Sequence, residues 1–386
     1  MLMEMPAIAG VAAALVSALL IAYITTPVVK SMAERMGAVD VPKDERRMHD
    51  HPIPRMGGLA IFLGFLLSSL IFVPLSPAFR GMLLGAILIV ILGIFDDIYA
   101  LPALPKLIVQ ILAALIAVLH GNVIQVISNP NIFSDNLYWI LGPWAVPVTV
   151  IWIVAITNAV NLIDGLDGLA VGVATISSLT MLVIAMLVSE NVVALTMAAL
   201  AGGCIGFMPY NKNPAKIFMG DTGSTFLGFV LATVSIQGLF KFYTIISFAV
   251  PFLMLGLPLF DTCFAILRRI SKGQNPMSPD RSHVHHRLID MGFNQKQAVG
   301  ILYVISAILG LSAVVLTTSG ALKAILLLCA LCLAGLIAAK VSISHAGDHS
   351  EEKEGTDHAS ESHDDLRDPP GGGEDGAPGE GAGEQE

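Results

Sequence analysis

The sequence predicts an all-α, polytopic integral membrane protein of about eleven transmembrane helices. Three observations predict it. Only 13% of the 386 residues are charged and 55% are hydrophobic, about half the charge of a soluble domain. Apolar runs near the roughly 20 residues that cross a bilayer core about 30 Å thick recur along the chain. The charge is also segregated. Residues 344–386 hold 14 acids and 2 bases, so residues 1–343 carry +3 although the whole chain carries −9. The body, residues 1–343, is a membrane domain, and 344–386 read as a disordered acidic cytoplasmic tail, rich in glycine and without apolar periodicity.

The first run, 6–29, follows Glu4 rather than a basic residue and leads into a basic loop, as a retained anchor does and a cleaved signal peptide does not. That loop places Arg46, Arg47, His49 and Arg55 before Gly57-Gly58 and the second run, 57–74. Bases against a glycine-flanked helix start suit a phosphate, and the tendency of inner loops to be basic explains the same charges. The third run, 80–95, ends on Asp96-Asp97. Two carboxylates about 5 Å apart repel by roughly 3 kcal/mol at an effective dielectric near 20. Such a pair calls for a proton or a cation, and oxygen ligands favour magnesium or manganese. A solvated turn before Leu101-Pro102 is the plainer reading.

The fourth run, 104–120, opens into a stretch in which Asn122 to Ile127 alternates like a strand, the signature of a small external β-hairpin. The fifth, 143–160, closes on Asn158-Ala-Val-Asn161-Leu-Ile-Asp164-Gly-Leu-Asp167-Gly168. On a continuing helix Asn158, Asn161 and Asp164 share an arc of about 120°. A glycine C-cap explains Gly165 but not the two further carboxylates. Runs 169–188 and 192–209 lead to Lys216-Ile-Phe-Met-Gly220-Asp221-Thr-Gly223-Ser224 at the start of the eighth, 223–240. Free N–H groups there, with Thr222 and Ser224 beside Lys216 and Gly220, suit an anion, and Asp221 a metal beside it. An ordinary N-cap is the alternative for Asp221.

The ninth run, 243–266, contains Asp261, as readily a salt-bridge partner as a reactive group. The loop after it carries Arg268, Arg269, Lys272, Arg281, His283, His285, His286 and Arg287. Imidazole and guanidinium groups together suit a diphosphate. A zinc site is the rival, but no cysteine is near. Runs 297–318 and 321–343 complete the body, and Cys204, Cys263, Cys329 and Cys332 fall inside apolar runs as packing residues.

Placing the N-terminus outside leaves only Arg80, Lys241 and Lys323 of the 21 lysines and arginines on the outer side, as the positive-inside rule requires. The same count brings the acids, amides and histidines to the inner side. A carboxylate at the bilayer centre costs about 3 kcal/mol, so acids at span ends are functional candidates. Nucleic acid is not an expected partner. A transporter is the competing class, but its sites lie near the midplane of paired halves, and no internal repeat is evident here.

Five blocks now stand in order: Pro54-Arg-Met-Gly-Gly58, Asp96-Asp97, Asn158 through Ala170, Met219-Gly-Asp-Thr-Gly-Ser224 and His283-Val-His-His-Arg-Leu288. Together they resemble the polyprenyl-phosphate N-acetylhexosamine-1-phosphate transferases over nearly all of residues 20–300. These enzymes move a sugar 1-phosphate from a UDP-sugar to a polyprenyl phosphate, release UMP and require magnesium. The resemblance implies that Asp221 binds the metal with Asp97 beside it, and that Asp96 acts as base on the lipid phosphate. It implies that Asn161, Asp164 and Asp167 shape the nucleotide and metal site and that His283, His285 and His286 meet the sugar diphosphate. The His-x-His-His-Arg pattern is closer to the N-acetylglucosamine branch than to the muramoyl-pentapeptide branch. Ile98-Tyr99-Ala100 departs from it by lacking a polar residue after the acidic pair. The implied setting is a bacterial inner (plasma) membrane with a cytoplasmic active site, and a homodimer stays open.

Overall fold

The computed structural model describes residues 5–41, 52–128, 138–238, 246–271, 273 and 283–318, and positions 323, 326, 329, 330 and 333. All belong to the unit Met1–Ala334, and Gly335–Glu386 forms a second unit outside the described residues. The acidic tail and most of the eleventh run therefore lie outside them as well.

Eight helices follow the first eight runs: α1 (Met5–Met36), α2 (Gly58–Phe72), α3 (Pro77–Tyr99), α4 (Ala103–Leu119), α5 (Ala145–Leu162), α6 (Leu169–Leu187), α7 (Asn191–Asn211) and α8 (Gly220–Gly238). The ninth run is two helices rather than one, α9 (Ile246–Met254) and α10 (Gly256–Ser271). Pro258 has no N–H to give the Met254 carbonyl four residues back. Ser177 of α6 donates its hydroxyl to that carbonyl at 2.9 Å, since a freed carbonyl in an apolar bundle must find a protein partner. A short α11 (Val284–Asp290) and a long α12 (Gln295–Thr317) follow. Helices α1, α3, α5, α6, α7 and α12 are long and apolar enough to cross a membrane, and α2 and α4 are shorter apolar helices. Ile24, Val28, Ile71, Ile151 and Leu119 stand exposed, as lipid-facing residues do. The architecture is that of an all-α polytopic membrane protein.

Two small hairpins accompany the helices. The expected one forms between β3 (Val126–Ser128) and β4 (Tyr138–Ile140). It starts late because Asn122 is drawn into the bundle, donating to the carbonyls of Ala78 and Ala117. The other pairs β1 (Val39–Asp40) with β2 (Ile53–Pro54), where no strand was expected.

α8 is the central rod, with α3, α5, α2 and α6 packed around it. Every residue from Thr222 to Gln237 is buried, although the helix carries five hydroxyl side chains in that stretch. Three are satisfied within the helix, Thr225, Thr233 and Ser235 donating to backbone carbonyls, while Thr222 and Ser224 donate to other helices and Ser235 also accepts from the Trp152 indole at 3.1 Å. At its N-terminus α8 meets α2 backbone to backbone. A Cβ on Gly58 would lie 2.0 Å from Gly223 Cα. Substituting Gly58→Ala forces the two helices apart at a cost of about 1–3 kcal/mol. The midpoint of thermal unfolding in detergent falls accordingly, and an unchanged midpoint would show that the contact can give.

Candidate active site

The C-terminal ends of α3 and α5, the N-terminal ends of α4 and α8, the segment before α6 and the segment after α7 meet at one end of the bundle. Asp97, buried in the last turn of α3, accepts the N–H groups of Asp221 (2.9 Å) and Thr222 (3.1 Å) and the Thr222 hydroxyl (2.6 Å). Two of the N–H groups expected to hold an anion are thus occupied. Asp97 is a capping carboxylate delivered from another helix, where the positive end of α8 favours negative charge. Its side chain is fully enclosed by these donors and by Arg55, and it does not line the cavity that Asp221 faces. Gly220 makes the approach feasible. Its φ is +72°, and a Cβ there would fall 2.4 Å from the Asp97 carboxylate.

Asp221 sits between two cations. Arg55 lies with Nε 3.5 Å from Asp97 and a terminal nitrogen 3.9 Å from Asp221. Lys106, from the first turn of α4, is 2.8 Å from Asp96 and 3.3 Å from Asp221. Asp96 also accepts the Leu101 N–H at 2.8 Å. Lys106 was expected only as an inner-side charge. Its signal was its place ten residues after Asp96, at the start of the next helix.

α5 ends at Leu162, so Asn158, Asn161 and Asp164 do not share one continuing helical face. Asn158 instead pairs with Gln110 between α4 and α5, donating at 2.7 Å. Asn161 accepts from the Ser224 hydroxyl at 2.7 Å. Asp167 accepts from the Asn213 amide and the Ala215 N–H, both at 3.0 Å. Asn213 also donates to Gln295 at 2.6 Å. The turn is locked beneath by Asn211, which accepts from the Gly168 N–H, and by Tyr303, whose hydroxyl donates to the Gly168 carbonyl.

The three histidines divide. His283 is buried and its Nδ1 lies 2.9 Å from Asp261. His285 is buried and packs where a Cβ on Gly165 would stand. Burial first, then the neighbouring His286, push its pKa down to about 4, so it is neutral. Only His286 reaches the cavity.

That cavity, about 390 Å³, is lined by Asp40, Arg55, Asn161, Asp164, Gly165, Leu166, Asp167, Asn211, Phe218, Gly220, Asp221, His286 and Gln295. Seven of the expected site residues therefore meet in one space. Lys216 and Arg287 are exposed and do not line it. Arg46, Arg47 and Arg281 lie outside the described residues. Asp40, Phe218 and Gln295 were not expected. The β1–β2 pairing brings Asp40 in, and the Phe218 N–H donating to the Pro54 carbonyl at 2.8 Å holds the neighbouring strand against the start of α8.

Asp164 opens on the cavity but is otherwise enclosed by protein. Burial, and then the nearby Asp221, push its pKa up to about 7. Two oxygen-donor carboxylates that repel each other across a cavity suit a hard divalent cation. Among the described residues, no three acid, histidine or cysteine side chains converge as a complete protein cage. Magnesium does not need one, because it commonly takes one or two carboxylates and completes its shell with water and phosphate.

Residues 79–239 match the family model of glycosyl transferase family 4. A probable undecaprenyl-phosphate N-acetylglucosaminyl 1-phosphate transferase of Bacillus subtilis is 42% identical over 309 residues, covering 79% of this chain and 85% of the relative. A decaprenyl-phosphate N-acetylglucosaminephosphotransferase of Mycolicibacterium smegmatis is 34% identical over 330 residues, covering 77% and 80%. An undecaprenyl-phosphate alpha-N-acetylglucosaminyl 1-phosphate transferase of Thermotoga maritima is 33% identical over 267 residues, covering 69% and 78%.

The raised Asp164 has a measurable consequence. Its folded pKa of about 7 exceeds the unfolded value near 3.9, so between these values the folded protein binds more protons and stability falls as pH rises. In EDTA, thermal unfolding in detergent therefore occurs at lower temperature at pH 8 than at pH 5, and Asp164→Asn flattens that slope. Equal slopes in the two proteins would remove Asp164 as the cause.

Proposed function

The chain belongs to glycosyl transferase family 4, and from that membership we propose that it transfers N-acetylglucosamine 1-phosphate from UDP-N-acetylglucosamine to a membrane polyprenyl phosphate, releasing UMP. One observation carries the reading: Arg55, Asp164, Asp167, Asp221 and His286 converge on a single cavity at the end of an apolar bundle. A water-soluble nucleotide sugar and a lipid phosphate at headgroup depth can both reach such a place.

In the reaction an oxygen of the lipid phosphate bonds to the phosphorus bearing the sugar as the bond to UMP breaks. Like-charged phosphates must come within bonding distance, so positive charge is the main requirement. Arg55 and Lys106 supply it, each already held between carboxylates. His286 faces the diphosphate, while Asn161 and Asp167 shape the nucleotide end. Magnesium held by Asp221 and Asp164, together with diphosphate oxygens, would neutralise charge developing on the leaving UMP. A phosphate monoester is largely a dianion near neutral pH, so the acceptor brings its own nucleophile. Asp96 then holds Lys106 toward it, and for a monoanionic acceptor Asp96 serves as base.

The topology we propose has eleven spans, an outer N-terminus and the cavity on the cytoplasmic face of a bacterial plasma membrane. The distribution of lysine and arginine supports it.

Purified protein with UDP-N-acetylglucosamine and polyprenyl phosphate releases UMP only with magnesium, and Asp221→Ala abolishes release. Turnover that survives both EDTA and that substitution would refute the assignment. Lys106→Met lowers the rate by about 100-fold or more, the usual scale for losing a preorganised charge at a transferring phosphate; a wild-type rate would place Lys106 outside the chemistry. A panel of UDP-sugars decides the donor.

A further inference from the structure

Asp261 is a buried carboxylate in α10 that does not line the cavity and has no part in the chemistry above. It is 4% exposed, and a carboxylate enclosed to that degree needs compensating donors. Both of its oxygens are committed to the start of α11. Oδ1 accepts the Val284 N–H at 2.8 Å, and Oδ2 lies 2.9 Å from His283 Nδ1. An ionised carboxylate only accepts, so His283 Nδ1 carries the proton of that bond.

The fixed imidazole is the first of three rings in contact. His283 and His285 are nearly parallel, 9° apart in plane with centroids 5.8 Å apart, and His285 lies 4.3 Å from His286. His285 is wedged against Gly165, where a Cβ would come within 2.3 Å of its Nε2. His286, at the end of this row, lines the cavity. α11 is only seven residues long, too short to hold its own orientation. Its anchorage must come from what it touches.

We propose that Asp261 is a positioning residue for donor binding: through His283 and the Val284 N–H it fixes the first turn of α11, and through the row of contacting rings it sets His286 in the cavity. This rests on the reading that His286 meets the sugar diphosphate. For a metal-bound histidine, losing the outer partner costs about 10-fold to 100-fold; a loss on that scale is expected here, falling on the donor. An Asn at this site retains the volume of Asp but must turn its NH2 toward one of two donors. A space-filling role would tolerate it, whereas the positioning role does not.

The experiment compares wild type, Asp261→Asn and Asp261→Ala in the full-length protein. Two measurements are made: steady-state kinetics with UDP-N-acetylglucosamine and polyprenyl phosphate, and histidine modification by diethyl pyrocarbonate read by mass spectrometry. Expected are a donor KM raised at least about tenfold in both variants, an acceptor KM within twofold of wild type, and faster modification of His283 and His285 in Asp261→Ala. Unchanged modification in Asp261→Ala overturns the anchoring, and an unchanged donor KM in both variants overturns the positioning role. If wild type releases no UMP from this donor, the reaction assigned above fails, and the modification rates alone decide whether Asp261 anchors the histidines.

Discussion

A buried carboxylate at the end of one helix neutralises the first turn of another, and the site is built around that contact. Asp97 holds the N-terminus of α8 through three hydrogen bonds, which fixes the direction of the adjacent Asp221. Because α8 is buried from Thr222 onward, N–H groups left unpaired in its first turn would each be costly. The partner has to come from the protein. Once Asp97 fills that place, Asp221 is left facing the cavity, and Arg55 and Lys106 are drawn in to balance the acids.

The resulting charges alternate. Asp96, Lys106, Asp221, Arg55 and Asp97 form a continuous row of opposite partners, and Asp164 stands beyond it across the cavity. A site with cations already placed between acids needs little rearrangement to receive a doubly charged phosphate. Preorganisation of this kind is where an enzyme handling phosphates gains most.

Much of this could be read from residues alone. Polar residues at the ends of apolar runs were conspicuous because the surrounding composition tolerates so few, and the first eight runs and the tenth each coincide with one helix, the ends differing by a few residues. Several expected site residues stand off the cavity wall for one reason. Asn158, Asp97, His283 and His285 are polar residues whose partners are other parts of the protein: Gln110, the α8 backbone, Asp261 and Gly165. A sequence shows that a group is polar, but not whether it is turned inward to hold structure or outward to meet a ligand. The same blindness concealed Asp40 and Gln295, which reach the cavity through a two-residue ladder and an amide relay with no local pattern. The break in the ninth run was legible in Pro258, yet a single proline leaves open whether a helix bends or divides.

The division between α9 and α10 gives the membrane domain a jointed member. α9 packs with α12, whereas α10 also lies against α5 and carries Asp261 toward the histidines. The joint is fastened by one hydroxyl on α6, far along the chain from either piece. The bearing of α10, and of the Asp261 it carries, therefore rests partly on a residue outside the cavity wall.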